Sequence, residues 1–87
     1  MLSDKAKEII DGTFHKLWRD EMEAGSRMDK DTFKRNAFFY MQELDDMKLP
    51  IDWNKVEKFI EEEWETGYCT TWGEIIHNNF YNKVKKC

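Results

Sequence analysis

Cysteine, proline and long apolar runs are scarce in this sequence of 87 residues, and each shortage excludes a class of protein. Its two cysteines, Cys69 and Cys87, show neither the C-x-x-C spacing of zinc and redox sites nor the density of a disulfide-rich domain. No stretch approaches the run of about 18 apolar residues that a membrane-spanning helix requires. The polar start at Ser3, Asp4 and Lys5 lacks the apolar segment of a signal peptide. We therefore expect a cytoplasmic protein that does not bind a membrane.

Motifs that carry catalysis or hold cofactors are also missing. The sequence contains no glycine-rich phosphate loop, no G-x-S-x-G nucleophile elbow and no H-E-x-x-H zinc motif. Neither His15 nor His77 has a second ligand at a spacing that suits a metal ion. We expect no catalytic residues, no metal site and no cofactor, so the sequence does not predict an enzyme.

Charge is distributed unevenly along the chain, which has a formal net charge of −4. Residues 37–66 contain nine acidic and three basic side chains, whereas residues 67–87 contain one acidic and three basic ones. Nucleic-acid binding depends on clustered lysine and arginine side chains, so this acidic middle segment predicts no direct nucleic-acid binding. It favours instead a protein partner with a basic surface.

Apolar residues recur over most of the chain at the i, i+3, i+4 spacing of an amphipathic helix. A chain of this length has room for one domain with one modest core. The sequence therefore predicts an all-α fold, a compact bundle of about four short helices with mainly antiparallel neighbours. The predicted domain covers 1–87, and its helices span 4–24, 30–47, 53–66 and 72–85.

Capping and breaking residues predict the helix boundaries. Asp29 and Asp52 each lie between two apolar residues at the spacing of a hydrophobic staple, which indicates a helix start at each. Thr71 and Glu74 have the spacing of a capping box. Further boundaries are expected at an N-cap, at two left-handed C-terminal glycines and before a proline, namely at Ser3, Gly25, Gly67 and Pro50.

Aromatic side chains are abundant, with six Phe, four Trp and three Tyr. Most fall on the predicted inward faces: Phe14, Phe33, Tyr40, Trp53, Phe59, Trp64, Trp72 and Phe80. Phe38 and Phe39 do not, because successive residues of a helix are about 100° apart and Phe39 falls opposite the inward side of its helix. Either a neighbouring helix such as the N-terminal one covers both rings, or they form an aromatic anchor for a partner or a second copy of the chain.

A ladder of like charges, Glu57, Glu61 and Glu65, runs along the outer side of the third helix beside Glu62 and Glu63. Each like-charged i, i+4 pair costs an isolated helix about 0.2–0.5 kcal/mol. The ladder is either a solvated face or an electronegative stripe that steers the protein towards a basic partner. Trp64, inside this run, is expected to pack inward.

The last predicted helix is crowded with apolar side chains. If Ile76 and Phe80 face inward, one neighbouring helix cannot bury both Ile75 and Tyr81. This helix therefore either lies in a groove between two others or contributes Tyr81 to an interface. His77 is expected to make local hydrogen bonds within its own helix.

These features favour a small acidic intracellular protein-binding module that modulates or inhibits a larger protein by occupying its surface. The combination is typical of small phage-encoded proteins that disable host enzymes or defence systems, which would place it in the host cytoplasm. The residues expected to bind the partner are Phe38, Phe39, Glu57, Glu61, Glu62, Glu65 and Tyr81. One alternative is a structural homo-oligomer that buries Phe38, Phe39 and the last helix. A second is a small-ligand or nucleotide sponge in which Lys34 or Arg35 holds a phosphate.

Overall fold

A computed structural model describes residues 2–25, 27–67 and 76–86 of the protein. The described residues form five α-helices, which confirms the predicted all-α bundle. α1 spans Asp4–Ala24, α2 Lys30–Tyr40, α3 Gln42–Asp46, α4 Trp53–Thr66 and α5 Ile76–Val84.

The predicted caps begin and end three of these helices. The side chains of Ser3, Asp29 and Asp52 accept hydrogen bonds from backbone N–H groups in the first turns of α1, α2 and α4. Gly25 and Gly67 follow α1 and α4 with φ values of 73° and 66°. Glycine populates this left-handed region without steric cost, so both positions end their helices as expected.

The predicted helix over 30–47 is interrupted at Met41, so that α2 and the short α3 replace it. Met41 adopts φ −98° and ψ 6°, outside the helical region, although its side chain is completely buried. The chain then leaves α3 through Lys48, which has a positive φ of 53°.

The last predicted helix, 72–85, is described only from Ile76 onwards and ends at Val84. The backbone of residues 50–52 binds the chain beyond this point: Asp52 N–H donates to Val84 O at 2.8 Å, and Lys86 N–H donates to Pro50 O at 2.9 Å. These bonds to a distant segment replace a further helical turn. The predictions for Thr71, Trp72, Glu74 and Ile75 and for both cysteines lie outside the described residues.

The four longer helices form a closed ring in which α1 and α4 each pack against both α2 and α5. α2 and α4 are antiparallel, because Lys30 meets Glu65 near one end whereas Phe38 meets Trp53 near the other. At the centre the rings of Phe14, Phe59 and Phe80 pack edge to face, with centroids 5.3, 5.7 and 6.1 Å apart. Within the described ranges, no helix combines the length and apolar character needed to cross a bilayer.

Candidate functional site

Phe39 is the most exposed large apolar side chain among the described residues, with 64% of its surface accessible. It lies in α2, where Phe33 and Ala37 are completely buried and fix the inward side of the helix. The ring of Phe39 packs edge-on against that of Tyr40, with 5.9 Å between centroids. The sequence expectation that Phe39 faces outward is met, and the alternative that a neighbouring helix covers this ring is wrong.

Phe38, by contrast, is half-buried against α4. Its ring lies 6.3 Å from that of Trp53, and the two rings line a shallow cavity of about 310 Å³ together with Gln42 and Asp45. The helix that covers Phe38 is therefore α4, not α1. Trp53 was expected only as a core residue, and the structure adds it to the outer surface. We call Phe38, Phe39, Gln42, Asp45 and Trp53 the aromatic face.

Negative charge borders the aromatic face on α3. Glu43, Asp45 and Asp46 are all exposed there. Glu43 has a loose ion pair with Lys5, 3.9 Å between Oε2 and Nζ, whereas no ion pair among the described residues includes Asp45 or Asp46. Arg35, one turn before Phe39 on α2, is also exposed. The exposed charges next to the aromatic face are therefore mixed: Asp45 is acidic and Arg35 is basic.

The predicted glutamate ladder is held by lysines of the neighbouring helix. Lys34 Nζ of α2 lies 3.0 Å from Glu57 and 3.2 Å from Glu61, and Lys30 Nζ lies 3.2 Å from Glu65. The hydrogen bonds to Glu57 and then to Glu61 raise the pKa of the Lys34 ammonium group. Three of the four predicted partner-binding glutamates thus join α4 to α2, which reduces the negative potential that they present to a partner.

The remaining predicted site residues lie elsewhere. Glu62 is exposed on another side of α4, near Lys55, Lys58 and Lys83. Tyr81 is half-buried against the core. Phe38 thus lies towards α4 and Phe39 lies on the outer side of α2, and both lie apart from Glu62 and Tyr81.

Two polar residues differ from the sequence expectation. Glu63, grouped with the exposed glutamates in the sequence, is completely buried. Its spacing of three, four and seven residues from Ile60, Phe59 and Val56 is the helical signal that places it on the inward side.

His77 makes a long-range contact that the sequence did not predict. Its Nδ1 lies 2.9 and 3.1 Å from the two carboxylate oxygens of Asp11, and its backbone N–H donates to the same carboxylate at 3.1 Å. Asp11 thereby ties the first turn of α5 to α1. No group of three metal-ligating side chains occurs in the described part of the chain.

Tyr40 fixes the position of α2 against α1 next to the aromatic face. Its hydroxyl donates a hydrogen bond to the Asp20 carboxylate, and Lys16 Nζ lies 5.2 Å from its ring centroid. The bond to Asp20, with a smaller contribution from burial, raises the pKa of the Tyr40 hydroxyl above its usual value. Because Phe39 is the preceding residue in the chain, this anchor also holds the part of α2 that carries the exposed ring.

Comparison of the chain with protein-family models, with curated proteins and with solved structures found no significant match in any of the three.

Proposed function

We propose that the protein is a binding module that modulates or inhibits a larger protein by covering part of its surface with the aromatic face. The exposure of the Phe39 ring on an anchored helix is the observation that carries this proposal. Binding energy at protein interfaces is concentrated in a few aromatic and arginine side chains that fill pockets of the partner. Phe39 is a ring of this kind, and its attachment to a packed helix limits the entropy lost on binding.

The acidic side chains of α3 support a partner with a basic surface, although Arg35 adds one positive charge beside the aromatic face. Asp45 lines the cavity between Phe38 and Trp53, Asp46 is the next residue of α3, and neither has an ion pair within the described residues. Acidic side chains at the rim of an interface accelerate association with a basic partner more than they increase affinity. We assign this steering role to α3 in preference to the glutamate ladder, because Lys30 and Lys34 already compensate the ladder.

The two alternative functions have less support. A homo-oligomer would bury Phe38, Phe39 and the last helix against a second copy; Phe39 is exposed for such a contact, but Phe80 and Val84 of the last helix are already buried within the bundle. In a nucleotide sponge Lys34 or Arg35 would hold a phosphate; the ammonium group of Lys34 is bound by Glu57 and Glu61, which leaves the exposed Arg35 alone for this role.

Affinity capture from the lysate of the native host, with the wild-type chain and two variants as bait, tests the proposal. Met22 of α1 is as exposed as Phe39, 63% against 64%, so Met22→Ala is a matched control for Phe39→Ala. The wild-type and Met22→Ala chains should retain the same protein, and Phe39→Ala should lose it. Equal capture by all three, or capture of this chain alone, would contradict the proposal.

A further inference from the structure

Three lysines converge where α4 begins and α5 ends, although the protein as a whole is acidic. They surround a shallow cleft of about 330 Å³, near the lower limit of the volumes of small-molecule sites. Glu62 is the only acidic side chain among the described residues that line it. We call this site the lysine cleft; its lining residues are Lys55, Lys58, Phe59, Glu62 and Lys83.

Contacts with the bundle hold two of these ammonium groups near the cleft. Lys55 Nζ donates a hydrogen bond to the backbone carbonyl of Lys85 at 3.3 Å. Lys83 Nζ lies 5.8 Å from the centroid of the Phe59 ring, within the range of a cation–π contact. Lys58 and Lys83 have no ion pair within the described ranges. The lining therefore has an excess of positive charge in a position that the fold constrains.

The end of the chain is attached to the start of α4, which fixes the two sides of the cleft relative to each other. Lys85 pairs with Ile51 in an isolated antiparallel bridge, and Lys86 N–H donates to Pro50 O at 2.9 Å. Both of these terminal lysines are exposed and add positive charge nearby.

Helix dipoles explain only part of this lysine cluster. Lys83 lies in the last turn of α5, where a cation is favoured by the negative end of the helix. Lys55 lies in the first turn of α4, where the positive end of the helix disfavours a cation. The helix dipoles therefore do not account for the position of Lys55, and the attraction of the cleft for an anion comes from its ammonium groups.

We propose that the lysine cleft binds a small polyphosphate anion. Lysine ammonium groups bind phosphate as compact point charges, and a polyphosphate presents several anionic oxygens to three of them at once. The ligand is small because the cleft is short, and the net charge of −4 on the chain would repel an extended polyanion beyond it. This site is separate from the aromatic face and does not depend on the proposed partner.

Titration of the protein with sodium tripolyphosphate, followed by NMR with the ionic strength held constant with NaCl, tests the proposal. We expect saturable shifts of the backbone amide signals of Lys55, Lys58 and Lys83. Lys58→Gln and Lys83→Gln should each weaken binding about tenfold, because each removes a charge-assisted contact. Glu62→Gln should strengthen binding about threefold, since it removes the acidic side chain of the lining.

Lys5→Gln provides the matched control, since it makes the same change of charge on an exposed side chain of α1. Shifts that do not saturate, or equal weakening by Lys5→Gln, would overturn the proposal and indicate a general charge effect. Weaker binding by Glu62→Gln would also overturn it. A single-stranded oligonucleotide that binds the same lysines more tightly per phosphate than tripolyphosphate would reassign the cleft to nucleic acid.

Discussion

Gly12 and Gly25 offer a comparison in which the same added methyl group should change stability in opposite directions. Gly12 lies in the middle of α1 and has no positive φ, whereas Gly25 ends α1 with a φ of 73°. A Cβ atom built at either position has no heavy atom within 4 Å. Steric contact is therefore equal at the two sites, and the backbone conformation alone distinguishes them.

The expected magnitudes follow from this difference. Glycine in a helix interior is less favourable than alanine by about 0.5–1 kcal/mol, so Gly12→Ala should stabilise the protein by that amount. For a chain of this size, 1 kcal/mol corresponds to a rise in Tm of about 4–8 °C. Gly25→Ala should destabilise the protein by about 1–2 kcal/mol, because a side chain in the left-handed region clashes with its own backbone.

Urea denaturation followed by circular dichroism measures both effects, and the slope against urea should be the same for the three proteins. A destabilised Gly12→Ala variant would show that the space beside α1 is not open. If the free energy of unfolding changed in the same direction in both variants, the argument from backbone conformation would be refuted.

Three further predictions concern charges around α2. Lys34→Gln should lower the free energy of unfolding, because it releases the two glutamates that Lys34 bridges, and the loss should shrink at high salt; a loss independent of salt would contradict the ion-pair account. Hydrogen bonds from Thr32 lower the pKa of Asp29 in the folded protein. The ionised cap therefore stabilises the fold at pH values above the pKa of Asp29 in the unfolded chain, and this stabilisation is lost as the pH falls through the pKa of Asp29 in the folded protein. The stability difference between the wild type and Asp29→Ala should therefore disappear in urea titrations at acid pH, and a constant difference would contradict this. The pKa of Tyr40 is raised in the folded protein. Its hydrogen bond to Asp20 therefore stabilises the fold fully below the pKa of the unfolded chain, and this stabilisation is lost as the pH rises through the pKa of the folded protein. Asp20→Asn should lower this pKa in an absorbance titration, and an unchanged curve would contradict the role of the carboxylate.

Local signals in the sequence predicted most helix boundaries. The cap residues Asp29 and Asp52 act on N–H groups two or three positions away, so their effect is visible in a short stretch of sequence. The break at Met41 was not predicted, whereas α5 ends at Val84, one residue before the predicted end. The end of α5 depends on backbone bonds to Pro50 and Asp52, and those bonds form only after the chain has folded.

At the candidate site, too, features set by local sequence were predicted, whereas contacts between distant segments were not. The outward direction of Phe39 follows from its angular position on α2 and was predicted. The compensation of the glutamate ladder by Lys34 depends on the register between α2 and α4, and the pairing of His77 with Asp11 joins residues 66 positions apart. Patterns within one helix do not contain this information. The spacing of Glu63 from the buried apolar residues of α4 indicated that it faces inward, but its charge favoured an exposed position.

The dissociation constant of the captured partner, measured by titration calorimetry with the purified proteins, tests the central claim most directly. Phe39→Ala should raise this constant at least tenfold, which corresponds to about 1.4 kcal/mol, while Met22→Ala leaves it unchanged. Both variants should unfold within about 0.5 kcal/mol of the wild type, because both side chains are exposed. Equal dissociation constants for the wild type and Phe39→Ala would contradict the assignment of the aromatic face as the docking surface.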